Sequence, residues 1–372
     1  MRWFEWGLAA ALTVAGTAQA QGGREIAFVA NAEGATVSLI DVAARTVLGA
    51  IDVNPAKTRT TQGGTPNYAQ DTDVSPDGRT LYVSRGYMGD VAAFEIATGK
   101  LIWRTVVDPA RADHMTLSAD GKALFVSAYT QRRSKRLDTA TGAITGEVET
   151  GISPHDNRIS KDGRLLFNSS IGNVGLPIDG GATGQAAPSP FQLTIADTRT
   201  MQVKARIAFD TGIRPWSLTP DGKGLYAQLS NLHGVIVYDL GARKVMRRLD
   251  LPIGPGVTSK DWVFEAPHHG LALSRDGKTL CIAGRASDYA ALVRAPALTL
   301  IATVPVGDSP GWSELADRDR ICLLANTRSD DLSFVSIAER RELARLKMGD
   351  GPKHITVARV PASVLATFAK AR

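Results

Sequence analysis

Cysteine is scarce in this chain, with Cys281 and Cys322 the two cysteines among 372 residues. They form no Cys-x-x-Cys pair and fit no zinc-ligand spacing. The sequence also has no Cys-x-x-Cys-His motif for covalent attachment of haem. A thiol-based redox motif and a cysteine-ligated zinc site are therefore excluded as the basis of function.

Charge of one sign is not concentrated anywhere in the sequence. The net charge is +6, from 43 basic and 37 acidic residues. The densest basic run spans residues 132–136 and has no interleaved aromatic residues, so we interpret it as a solvated strand and loop. A nucleic-acid-binding protein would need a basic stripe, and none is present.

Long apolar runs are also missing, and the longest lies near the N-terminus. Arg2 precedes an apolar stretch over residues 7–17 that is too short to span a bilayer. The Ala18-Gln19-Ala20 sequence then fits a cleavage site. We expect a signal peptide over 1–20, a single domain over 21–372, no membrane span, and a periplasmic or secreted protein.

What the sequence does contain is a recurring turn of the form Ser-x-Asp-Gly, which sets a repeat of about 40–45 residues. The clearest copies begin at Ser75, Ser118, Ser160, Thr219 and Ser274. Alternating apolar runs follow each copy, separated by hairpin turns. Four short antiparallel strands per repeat are typical of a propeller blade, which must stack on its copies to bury its faces.

The two ends of the chain complete the count of blades. Runs over 26–30, 36–41 and 46–51 predict a blade without a first strand, and the run over 354–357 predicts a first strand without a second. The sequence therefore predicts an all-β, seven-bladed β-propeller of four-stranded antiparallel blades. The N- and C-terminal strands share one blade and close the ring.

This register places the two cysteines on second strands of successive blades. Packed sheets stand about 10 Å apart, whereas a disulfide needs Cα atoms within about 7 Å. We therefore expect Cys281 and Cys322 to be buried free thiols.

Several segments resemble the YVTN-type β-propeller repeat family. They include SPDGRTLYVS at 75–84, TVSLID at 36–41 and VPVG at 304–307. The resemblance covers nearly all of 21–372 and implies an exported seven-bladed propeller with surface-layer-like and lactonase-like relatives. It leaves the chemistry open, because this fold serves many functions.

The first strands line the central channel, and their first residues surround its mouth. Five of the six histidines, all but His233, lie there. The insertions 54–68, 173–190 and 252–267 extend from the same face. A single histidine there could simply bond to neighbouring backbone, but five suggest a site. The candidate ligand-binding residues are Asp71, Arg85, Tyr87, His114, Tyr129, His155, Asp156, Arg158, Trp216, His268, His269, Trp312 and His354.

The favoured interpretation is a non-catalytic binding or scaffold module. Its partner would be a small-molecule ligand or a periplasmic protein, and we expect a monomer. Tryptophans at the mouth suit a flat ligand such as a sugar or a quinone. The sequence identifies no catalytic residue and no definite cofactor.

Two alternatives remain open. The first is a metal- or haem-linked periplasmic oxidoreductase with His114, His269 and His354 as ligands, because imidazole binds transition metals. The second is a lactonase-like hydrolase. In that hydrolase the base would be Asp71, Asp156 or His269, and the anion-holding residue Arg158, Arg214 or Arg85.

Overall fold

The computed structural model describes residues 23–60, 65–172 and 191–371. Seven four-stranded antiparallel sheets form a seven-bladed β-propeller, which confirms the predicted fold. The predicted signal peptide and the insertion 173–190 lie outside the described residues. Among the residues described, no helix has the length and apolar character needed to cross a membrane.

The elements in chain order have the following bounds. They are β1 (Arg24–Asn31), β2 (Thr36–Asp41), β3 (Thr46–Asp52), β4 (Asp71–Val74), β5 (Thr80–Arg85), β6 (Asp90–Glu95), β7 (Leu101–Val106), β8 (Ala112–Leu117), β9 (Ala123–Ala128), β10 (Arg133–Asp138), β11 (Ile144–Glu149), β12 (Pro154–Ile159), β13 (Leu165–Ser170), β14 (Gln192–Asp197), β15 (Val203–Ala208), β16 (Ile213–Leu218), β17 (Gly224–Leu229), β18 (Gly234–Asp239), β19 (Lys244–Asp250), β20 (Leu271–Leu273), β21 (Thr279–Gly284), β22 (Tyr289–Arg294), β23 (Thr299–Pro305), β24 (Pro310–Ala316), β25 (Ile321–Asn326), β26 (Asp331–Ser336), β27 (Arg341–Lys347), β28 (Pro352–Val360) and α1 (Ala362–Lys370).

The Ser-x-Asp-Gly turn joins the first and second strands of five blades through one hydrogen-bond pattern. In blade 2 (β4–β7), Ser75 Oγ accepts from Thr80 N at 2.9 Å and donates to the Asp77 carboxylate at 2.5 Å. The turns that begin at residues 118, 160, 219 and 274 repeat both bonds. The side chains thus satisfy backbone groups that a tight turn leaves unpaired.

The hydrophobic core lies between blades rather than within them. Every residue of β9 is buried, because a second strand is covered by neighbouring blades on both faces. The fourth strand β7 lies at the rim, and its residues are exposed or half-buried. First strands line the channel instead, so their polar side chains face the axis.

Strands from both chain ends form blade 1, in the order β28-β1-β2-β3. The predicted closure is confirmed, but β28 is longer than the run 354–357 and is followed by α1, which the sequence analysis missed. Val364, Leu365 and Phe368 of α1 pack on core residues of blades 1 and 2. The helix therefore packs against the interface between blades 1 and 2.

The prediction of free thiols is wrong, because Cys281 and Cys322 form a disulfide between blade 6 (β20–β23) and blade 7 (β24–β27). Their Cα atoms are 6.4 Å apart. Blades radiate from an axis, so their inner strands approach more closely than parallel packed sheets do. Ser313 Oγ donates to Cys281 O at 3.0 Å and joins the same two blades.

The basic run 132–136 is less solvated than expected. Lys135 is buried, and its Nζ donates to Val107 O at 2.7 Å. This lysine therefore serves the packing of blade 3 (β8–β11) rather than a surface.

Candidate functional site

Four histidines from four blades meet on the channel axis. They are His114 in β8, His155 in β12, His269 just before β20, and His354 in β28. All four are buried. The ring centroid of His114 lies 4.6 Å from that of His155 and 5.5 Å from that of His354. The ring centroids of His155 and His269 are 5.4 Å apart. We call these four residues the histidine cluster.

Within the cluster, His155 and His269 point their Nε2 atoms at each other across 3.2 Å. The Nδ1 atom of His155 lies 3.3 Å from the Asp113 carboxylate, and that of His269 lies 2.9 Å from Gly311 O. Neither acceptor carries a proton to donate, so both Nδ1 atoms must hold the ring hydrogen. In neutral rings, two Nε2 lone pairs therefore face each other.

His114 completes a triad with this pair. One ring nitrogen from each of His114, His155 and His269 lies within 4.8 Å of the others. The Nδ1 of His114 is 2.9 Å from Asp71 Oδ2, so in the neutral ring Nδ1 holds the hydrogen and Nε2 carries the lone pair. Gln70 Nε2 lies 3.2 Å from that atom and also donates to Asp113 at 2.7 Å.

Burial and neighbouring charges fix the ionisation of the cluster. Burial lowers the pKa of His155 to about 3, although Asp113 opposes it. Burial, with His155 and Arg285, also holds the pKa of His269 well below its usual range. Burial alone would raise the pKa of Asp113, but Arg111 and His155 outweigh it and lower that pKa. The Asp113 carboxylate is therefore ionised beside neutral imidazoles.

His114 differs from its neighbours. Burial would lower its pKa, but the hydrogen bond and charge of Asp71 outweigh burial and raise it. The Asp71 carboxylate is shared, since its Oδ1 lies 2.9 Å from His354 Nδ1. Trp312 packs against both rings, with centroid distances of 5.0 Å to His114 and 4.2 Å to His354. Its indole is thus a wall of the cluster.

A cavity of about 210 Å³ continues along the channel from the cluster. We call it the acidic chamber, and its ionisable walls include Asp73, Asp156, Arg158 and Glu314. Burial, with the charge of Asp71, raises the pKa of Asp73 to about 8. Burial also raises the pKa of Asp156 and of Glu314. Arg158 Nη2 lies 3.3 Å from Asp156 Oδ2.

Other predicted site residues lie outside the histidine cluster. Arg85 is buried in a bidentate ion pair with Asp90 and also donates to Val53 O. Trp216 is buried in an apolar core, and its ring lies 6.1 Å from Phe167.

His268 turns away from the axis, although the sequence places it beside His269. It packs on His233, with centroids 4.2 Å apart, and its Nε2 lies 3.1 Å from the Tyr289 hydroxyl. Tyr87 and Tyr129 flank Arg111. The Cζ atom of Arg111 lies 5.9 Å from the ring centre of Tyr87 and 4.5 Å from that of Tyr129.

The sequence did not predict Gln70, Asp113 or the carbonyl of Gly311 as part of the site. In a regular strand, consecutive residues face opposite sides, so Asp113 and His114 could not both reach one site. The pairing of β8 with β9 shifts register between Ala112 and Met115, and β12 shifts likewise between Pro154 and Asn157. These bulges turn consecutive residues toward the axis. Their only sequence signal is the run of polar residues itself.

No family model matches this chain, and neither does any curated protein. The YVTN-type assignment therefore stays a prediction. Among solved structures, the chain is similar to Kuenenia stuttgartiensis hydrazine synthase. The two are 20% identical, with a TM-score of 0.66, and the match covers 84% of this chain and 92% of that chain. This likeness supports the propeller fold alone.

Proposed function

We propose that this β-propeller is a ligand-binding protein whose functional centre is one transition-metal ion bound by His114, His155 and His269. The observation that carries the proposal is the 3.2 Å approach of His155 Nε2 and His269 Nε2. A hydrogen bond between them would need an extra proton and a cationic ring, which burial disfavours. A metal ion accepts both lone pairs at once.

The distances suit such an ion. Two nitrogens bound to one tetrahedral ion at about 2.0–2.1 Å stand roughly 3.3 Å apart. The two Nε2 atoms already have nearly this separation. His114 becomes the third ligand when its Nε2 exchanges the contact with Gln70 for the ion.

Each proposed ligand also has an outer partner that orients its ring. Asp71 accepts from His114, Asp113 from His155, and Gly311 O from His269. Carboxylate and carbonyl acceptors of this kind fix the tautomer of metal-binding histidines. Neutral imidazole ligands favour zinc, copper, iron or nickel over magnesium or calcium.

Three protein ligands leave a coordination position for a small molecule, as in catalytic zinc sites. This joins the binding and metal-centred interpretations of the sequence in one site. The Cys281–Cys322 disulfide and the predicted signal peptide support a location in an oxidising compartment, periplasmic or secreted.

The proposal is tested by stripping the purified full-length protein with a chelator and titrating it with Zn²⁺, Cu²⁺ and Ni²⁺. We expect one ion per chain. Replacement of zinc by Co²⁺ should give visible absorption bands that report nitrogen ligands. His155→Gln and His269→Gln should each weaken binding at least 100-fold.

His233→Gln is the matched control, because His233 is a buried histidine outside the cluster. It should bind metal as the unmodified protein does. Circular dichroism shows whether each variant folds. Metal binding that is absent from the folded protein, or equal in all three variants, overturns the proposal.

A further inference from the structure

Cationic side chains from four blades stand at the mouth of the channel. Arg111 precedes β8, Arg214 is in β16, Arg285 follows β21, and Lys353 is in β28. First strands begin and second strands end at this face, so these positions surround one opening. We call these four residues the cationic rim.

The rim lies against the histidine cluster. Arg111 Nη2 is 3.1 Å from Asp113, the carboxylate that orients His155. Lys353 directly precedes His354 in the chain. Besides burial and His155, Arg285 helps to lower the pKa of His269. A ligand group held by the rim would thus meet the proposed metal ion.

Few carboxylates balance the rim. Arg214 donates to two neutral acceptors, Ser230 Oγ at 2.8 Å and Phe264 O. Burial, with Arg214 and Arg328, lowers the pKa of Arg285 to about 10. Glu265 and Glu33 are near enough to influence Arg214 and Lys353. Of the ion pairs within the described ranges, the one that involves the rim is Arg111–Asp113.

Two rim guanidinium groups have donors without acceptors. The Nε atoms of Arg111 and Arg285 are buried and have no hydrogen-bond partner in the part of the chain that the structure describes. Buried donors are almost always paired, so these two Nε groups are available to an acceptor that a ligand supplies. Arg111 is also held in place by the Tyr129 ring, 4.5 Å from its Cζ.

We propose that the cationic rim binds an oxyanion group, a carboxylate or a phosphate, of a small-molecule ligand beside the histidine cluster. The planar guanidinium fork matches both groups through paired hydrogen bonds. The inference rests on the proposed function for the claim that ligand and metal meet. The anion site itself is built from other residues.

The test is calorimetric titration with acetate, succinate and inorganic phosphate, on metal-free and on zinc-loaded protein. We expect metal-free protein to bind at least one of these anions, and its preference separates a carboxylate ligand from a phosphate ligand. Arg285→Gln should weaken that binding at least tenfold. Arg285→Lys keeps the positive charge but lacks the planar guanidinium fork. Its affinity for the anion should therefore lie between those of the unmodified protein and Arg285→Gln.

Arg248→Gln is the control, because Arg248 lies on the outer strand β19 and pairs with Asp250 at the surface. It should leave anion binding unchanged. Arg285→Gln should still bind one metal ion, which separates this proposal from the proposed function. If the protein binds no metal but Arg285→Gln still weakens anion binding, the anion site is supported and the proposed function is not. Anion binding that needs zinc and ignores Arg285→Gln overturns the inference, as does no binding in either form.

Discussion

At the scale of single residues, the channel owes its chemistry to buried groups that hold one another in unusual protonation states. Burial alone would raise the pKa of Asp71 and of Asp113, but His354 and His114 lower that of Asp71, and Arg111 and His155 lower that of Asp113. Both carboxylates therefore remain charged. Asp73, a short distance along the same strand as Asp71, is instead driven toward its neutral form. Asp71 and Asp73 therefore change the free energy of unfolding in opposite directions as pH rises.

Asp113→Asn should weaken metal binding by about 10–100-fold, because it removes the charged acceptor that orients His155. Competition against a chromophoric chelator measures this change. The melting temperature of the metal-free variant, measured separately, shows how much of the loss is structural. Asp276→Asn, in an exposed turn, should bind metal normally; equal affinity for both variants would contradict a positioning role for Asp113.

Asp73→Asn should stabilise the protein increasingly as pH rises from about 4 to about 8. The pKa of Asp73 is raised to about 8 in the fold, whereas in an unfolded chain an aspartate ionises near pH 4, roughly. Between these values unfolding releases a proton, so the wild-type free energy of unfolding falls as pH rises. We expect the variant to gain roughly 1–3 kcal/mol relative to wild type between pH 4 and pH 8.

Urea unfolding across that pH range checks the prediction. Asp250→Asn, at an exposed position on β19, serves as the control and should run parallel to wild type. A gap between Asp73→Asn and wild type that is the same at pH 4 and pH 8 would refute the raised pKa.

At the scale of elements, the repeated turn and the bulged first strand contribute differently. The turn is visible in the sequence because its serine, aspartate and glycine each make a fixed contact, so the blades and their order could be predicted. The bulges in β8 and β12 leave no such signature, and Asp113 could not be assigned to the site. The apolar residues Val364, Leu365 and Phe368 of α1 are visible in the sequence. The helix was not predicted, because no blade of the repeat contains an equivalent segment.

Two glycines in equivalent turns should respond differently to alanine. Gly78 and Gly163 both have positive φ, 68° and 74°. An added Cβ at Gly78 would lie 2.3 Å from Arg359 O, whereas at Gly163 nothing is within 4 Å. Gly163→Ala should cost about 1–2 kcal/mol from backbone strain.

Gly78→Ala should cost roughly 1–3 kcal/mol more than that, because β28 must also move. Chemical denaturation of both variants gives the difference directly. Equal losses would mean that the contact between this turn and the end of β28 is not tight.

At the scale of the whole molecule, the propeller is held as a ring by strand pairing at one seam and by a covalent bond elsewhere. The sequence predicted the seam, since both termini lacked complementary strands. It did not predict the disulfide, because the spacing of parallel packed sheets does not hold for blades that converge on an axis. Only the radial geometry brings Cys281 and Cys322 into range.

Reduction of this disulfide should lower the free energy of unfolding by about 4 kcal/mol, the loop-entropy value for a separation of 41 residues. Denaturation with and without reductant measures the loss. The Cys281→Ala/Cys322→Ala variant should show no further effect of reductant. Free thiols detected in the denatured, unreduced protein would contradict the bond.

The seam in blade 1 also determines when the molecule can finish folding. Residues 24–31 pair with residues 352–360, so the ring cannot close until almost the entire chain has been made. Until then, β1 lacks its partner strand and presents an unpaired sheet edge, which is a template for aggregation. The last completed blade also has an apolar face that no neighbouring blade covers. Because contacts so distant in sequence form slowly, the period before closure is when this protein is most exposed to misassembly.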